Sequence, residues 1–140
     1  MKQAFVLLLA AMTLFQVGYR IVGYQPVYEI GYGAITLMAV MISLTFLWLW
    51  LVRATPLALG MAYSWAGTGC VLGWWWMYNA TGQPEWAAQS PILFSFLSLY
   101  IVGAILHFAV IHRSFGLHGL AFLVPVLGAL AVSGALFAIG

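Results

Sequence analysis

Few side chains in this sequence are equipped for chemistry. The acids are Glu29 and Glu85, the imidazoles His107, His112 and His118, and the single thiol Cys70. No Ser-His-Asp set, no paired carboxylates and no cluster of metal ligands assembles from them. No catalytic residue and no metal site is therefore assigned, and an enzyme is not expected. One cysteine makes no intramolecular disulfide, CxxC pair or thiolate zinc site. His107 lies in the apolar run YIVGAILHFAVIHRSF. Residues five apart on a helix diverge by about 140°, so His107 and His112 do not share a metal. His107 either hydrogen-bonds a neighbouring helix, as polar side chains in membranes usually do, or ligates haem or chlorophyll with help from a partner subunit.

Glu29, in QPVYEIGYGAITL, is the acid nearest an apolar segment. Ionisable groups inside hydrocarbon are costly and commonly functional. Turned inward, Glu29 is a proton or cation site with Gln16 as a neighbour. In a first helical turn at the water interface it is a cap that suits the helix dipole. The stretch GMAYSWAGTG (60–69) carries the other constellation. Gly60, Gly67, Gly69 and Gly73 let helix backbones approach closely, or act as hinges, and Gly69 to Gly73 spells GxxxG. Tyr63 and Trp65 offer aromatic faces, which hold desolvated cations by about 2 kcal/mol or more.

The elements that must position these groups follow from composition. The chain has 140 residues, 66% hydrophobic and 4% charged, against roughly a quarter charged in soluble domains. Mean hydropathy is +1.10. Such a chain is an integral membrane protein with the lipid bilayer as its first partner. Its net charge of +2 comes from four scattered basic residues, so no cluster is available to neutralise nucleic-acid phosphates.

A spanning helix takes about 20 apolar residues, and five segments qualify, roughly 4–23, 30–52, 56–78, 91–111 and 117–139. The expected fold is all-α, one polytopic helical bundle over residues 1–140. The first segment, though it follows Lys2 in the manner of a signal peptide, lacks a clear cleavage site and is read as a retained helix. Pro125 predicts a kink inside the fifth. With the amino terminus inside and the carboxyl terminus outside, Lys2, Arg53 and Arg113 fall on the cytoplasmic side. Tryptophans at 74–76 and 86, and at 48 and 50, then mark the two interfaces. A bacterial inner membrane is the expected location.

The pattern at 60–69 resembles the third helix of the small multidrug resistance transporters, in the drug/metabolite transporter superfamily. Gly60, Ala62, Tyr63, Trp65, Gly67 and Gly69 carry the likeness, closed by Gly82 and Gln83. The resemblance implies a substrate site at Tyr63 and Trp65, a packing or hinge role for Gly67 and Gly69, and a homo-oligomer. The chain departs from that family in three places. One residue fewer separates Tyr63 from Trp65, Gln16 stands where the family has a membrane-embedded glutamate, and five helices replace four. The expected function is a small transporter or flippase moving a neutral, cationic or lipid-like molecule without a cofactor. The alternative is a structural subunit of a respiratory or photosynthetic membrane complex, packed against other membrane subunits and helping hold haem, chlorophyll, quinone or carotenoid.

Overall fold

Lipid offers no hydrogen bonds, so a long apolar segment winds into a helix that satisfies its own backbone. The structure, a computed structural model, describes residues 2–116 and 119–139; among them it is all-helical, with no strand. The helices are α1 (Lys2–Val22), α2 (Tyr24–Arg53), α3 (Pro56–Ala80), the single turn α4 (Glu85–Ala88), α5 (Ile92–Ser114) and α6 (Val124–Ile139), with a 3₁₀ turn at Ala121–Leu123.

Backbone chemistry at the joints places these limits. Gly23, at φ 89°, sits in the left-handed region that glycine enters without a Cβ penalty, and it alone separates α1 from α2. The second helix therefore starts at Tyr24, not Ile30. Pro26 falls in its first turn, where the missing N–H needs no partner. Glu29 consequently lies in the second turn and not the first. Ala54, with φ 49°, ends α2 by donating its N–H to the Trp50 carbonyl. Pro56 then opens α3, its fixed φ suiting a first helical position.

The last helix begins at Val124, not Leu117; Leu117 and His118 lie outside the described residues. Pro125 is thus the second residue of α6. At that position it breaks no backbone bond, so no kink is required. The 79–90 connection, expected as a loop, contains α4, to which the Trp74 indole donates at the Ala87 carbonyl (3.1 Å).

Packing is carried by α3, held between α2 and α5. On one side, Gly69 meets Val40 and Ala39, and Gly73 meets Thr36. Further along, Trp76 fills the space above Gly33, and the Ser43 hydroxyl donates to the Ala62 carbonyl at 2.8 Å. On the other side, Gly60 meets Leu106 and His107, Gly67 meets Tyr100, and Ser64 meets Gly103. In both sets numbering rises on one helix as it falls on the other, so both pairs are antiparallel. The α3 positions 62, 69, 73 and 76 and the positions 60, 64 and 67 form two stripes of i, i+3, i+4 and i+7 spacing, on two faces of one helix.

Among the described residues the buried apolar side chains are alanines, Ala39, Ala58, Ala62 and Ala87, while Ile21, Phe94 and Phe137 stand exposed. Small residues inside and large ones outside is a packing that lipid allows and water does not. Lys2–Val22, Tyr24–Arg53, Glu85–Ser114 and Ala121–Ile139 are each long and apolar enough to cross a membrane. Together these observations make the chain a helical membrane protein. Neither α1 nor α6 contains a buried residue, so both flank the core and do not build it.

Candidate functional site

Close approach at Gly60, Gly67 and Gly103 brings the α3 and α5 backbones together, and the longer side chains beside that seam stand apart around a groove. Met61, Trp65 and Thr68 recur on one face of α3, and Tyr100, Ala104, His107 and Ile111 on one face of α5. Between them lies a space of about 640 Å³. Its walls are aromatic and apolar except for Ser64, Thr68, His107 and the Tyr100 hydroxyl, and no Lys, Arg, Asp or Glu lines it. A ligand there meets aromatic faces and neutral hydrogen-bonding groups but no fixed charge.

His107 is the most constrained polar group in this groove. Its Nδ1 lies 3.2 Å from the Gly103 carbonyl, one turn back on α5, and 3.4 Å from the Ser64 hydroxyl. Its Nε2 lies 2.7 Å from the Met61 sulfur. A neutral imidazole carries one N–H. Donated from Nδ1 to the carbonyl, it leaves an Nε2 lone pair facing a thioether. Donated from Nε2 to the sulfur, it leaves Nδ1 to accept from Ser64. The carbonyl is the stronger acceptor, because a thioether accepts only weakly.

The structure distributes the other sequence-derived residues over separate places. Tyr63 does not join Trp65; the two point to different sides of α3, as a two-residue step of about 200° requires. Tyr63 faces a smaller space of about 240 Å³ with Ser43, Ala62 and Leu99. Gln16 lines a third space, about 470 Å³, in the cleft between α1 and α2, opposite a run of tyrosines. There Tyr28 stacks on Tyr32 with ring centroids 4.2 Å apart and accepts a hydrogen bond from the Asn79 amide at 3.3 Å. Glu29 is not on the wall of that cleft. Its carboxylate accepts from the Gln25 amide at 2.9 Å, an i, i+4 pair along α2. Gly60 and Gly67 lie against α5, while Gly69 and Gly73 lie against α2.

No protein-family profile, curated protein or solved structure matches the chain.

The likeness at 60–69 to the small multidrug resistance transporters thus rests on the sequence pattern alone. In this fold the pattern faces both neighbours of α3, with Gly60 and Gly67 against α5 and Gly69 against α2. Met61 and Tyr100 are among the lining residues that escaped the sequence reading. Met61 has no motif, and its signal is only the i, i+4 relation to Trp65. Tyr100 is likewise one of many aromatics until α5 is set against α3. Among the described residues no group of three His, Cys, Asp or Glu gathers. His107 is the side chain that haem or chlorophyll would use in the alternative reading, and its Nε2 is already in contact with Met61. His112 is 8% exposed, beside Phe122, with no partner for its Nε2 among the described residues.

Proposed function

We propose that this chain is a small membrane carrier that takes a neutral, cationic or lipid-like molecule into the groove between α3 and α5, with Trp65 as the principal contact. The observation that carries the reading is the groove itself, an aromatic space with neutral polar groups and no fixed charge, built between helices of a membrane protein. In this reading α3 also spans. Its 25 residues extend about 37 Å at 1.5 Å per residue, long enough for the hydrocarbon core. With five spanning helices the termini lie on opposite sides, and Lys2, Arg53 and Arg113 favour the amino terminus inside and the carboxyl terminus outside; a bacterial inner membrane belongs to the same proposal. The small multidrug resistance likeness supports the same class. Glu29 and Gln16, apart from the groove, are not assigned to substrate.

A second reading has its own support. Because α1 and α6 bury nothing, each has faces free for other polypeptides. Those faces serve a homo-oligomer in the carrier and foreign subunits in a respiratory or photosynthetic complex. Reconstitution into phospholipid vesicles tests the carrier. Flipping of a nitrobenzoxadiazole-labelled phospholipid is followed by dithionite quenching, and uptake of ethidium by its fluorescence. At least one is expected to exceed protein-free vesicles. Trp65→Ala should abolish the excess and Tyr63→Ala should preserve it. Vesicles that move neither probe, or equal loss in both variants, would remove the groove from the account.

A further inference from the structure

We infer that the α3–α5 groove contains a site for a soft monovalent metal ion, copper(I) or silver(I), ligated by His107 Nε2 and the Met61 sulfur beside the Trp65 ring. The inference keeps one part of the carrier reading, that this groove is the occupied site, and does not require that the ion be moved.

The donors are on opposite walls. Met61 comes from α3 and His107 from α5, with Nε2 and sulfur 2.7 Å apart. The Gly103 carbonyl, 3.2 Å from Nδ1, favours the tautomer with its proton on Nδ1. That choice aims the Nε2 lone pair at a thioether that has no hydrogen to give. An imidazole nitrogen and a thioether sulfur brought into contact from two helices are a pair of soft donors that a soft Lewis acid can bridge. Thioether sulfur with imidazole nitrogen selects soft ions, copper(I) among them, over hard ones. Trp65 follows Met61 by four residues on the same face of α3 and lines the same groove, where an indole face attracts a cation.

Charge narrows the choice further. Every donor is neutral, and no carboxylate lines the groove to offset a second positive charge. The cost of taking an ion out of water grows with the square of its charge, about fourfold more for a divalent ion. The site therefore suits a monovalent ion and disfavours zinc(II). With bond lengths like those of zinc, about 2.0 Å to nitrogen and 2.3 Å to sulfur, two donors on opposite sides of the ion stand roughly 4.3 Å apart. The pair must open by roughly 1.6 Å, which the three rotatable bonds of methionine permit and the adjoining 640 Å³ accommodates. No electron is transferred, since the metal enters and stays in the +1 state.

The test uses the full chain in detergent micelles with its methionine methyls carbon-13 labelled, silver(I) serving as the redox-inert probe. Addition of one equivalent is expected to shift the Met61 methyl resonance and leave those of Met38, Met41 and Met77 in place. Native mass spectrometry should show one silver per chain. His107→Leu should weaken binding at least tenfold while helicity is retained, and zinc(II) should leave the Met61 methyl unmoved. An unshifted Met61 methyl overturns the proposal, as does an equal response to zinc(II). A negative result here beside positive vesicle transport removes the metal and keeps the carrier. Silver binding without transport of lipid or dye does the reverse.

Discussion

Replacing Gly67 with alanine sets a methyl carbon 2.7 Å from the Tyr100 amide nitrogen and 2.9 Å from Tyr100 Cα and Cβ. Ordinary carbon contacts lie at about 3.5–4.0 Å, so α3 and α5 must part by roughly 0.8 Å or more at that level. The obstructing atoms are mainly backbone, which no rotamer change moves aside. Overpacking of this kind costs about 1–3 kcal/mol, and close packing is the main attraction between helices in lipid. Alanine returns up to about 1 kcal/mol through helix propensity. The net expectation, with the full propensity gain, is a loss of about 0–2 kcal/mol. Gly134→Ala, on α6, is the internal comparison, because its added Cβ meets nothing within 4 Å. There the propensity gain stands alone. The propensity gain is common to both, so the two variants should differ by the overpacking cost of about 1–3 kcal/mol, at least about fivefold in unfolding equilibrium at 1.4 kcal/mol per factor of ten. The assay is titration of the purified chain with dodecyl sulfate in mixed micelles, read by helical circular dichroism. Coincident midpoints for the two variants would refute the close-approach argument.

Three further outcomes follow from named contacts. Ser43→Ala removes the hydroxyl bond to the Ala62 carbonyl and should cost about 0.6 kcal/mol, the average for such bonds in membranes, in the same titration; a loss above about 2 kcal/mol would mean the hydroxyl has another role. Trp74→Phe deletes the indole donor that holds the Ala87 carbonyl. It should speed amide exchange within α4 while α3 and α5 keep their protection, and unchanged exchange in α4 would show that the short helix stands without the tether. In vesicles, Trp65→Ala and Tyr63→Ala should separate as active-site and bystander changes, since the two side chains face different spaces.

The helices were legible because apolar length alone fixes them in a membrane protein. Their ends were less so. A single glycine at positive φ replaced an expected six-residue connection before α2, and only its backbone angle distinguishes that joint from a loop. Pro125 illustrates the same difficulty: kink or helix start depends on where the first turn falls, which composition does not encode. Small residues on α3 pointed to close packing, but not to its division into one stripe for α2 and another for α5. That division arises from the approximately 100° step per residue, and it also sends Tyr63 away from Trp65. The groove itself was out of reach. Met61, Tyr100 and His107 come from two helices far apart in sequence, and nothing local marks them as neighbours.

The carrier reading makes the chain sufficient in copies of itself, with the bare faces of α1 and α6 covered by like subunits or lipid. Native mass spectrometry of the protein, gently extracted from its own membrane, measures that directly. The account predicts a homo-oligomer carrying lipid and no foreign polypeptide. Additional subunits, or a mass of haem or chlorophyll size lost with His107→Leu, would contradict it and make the chain a component of a larger complex.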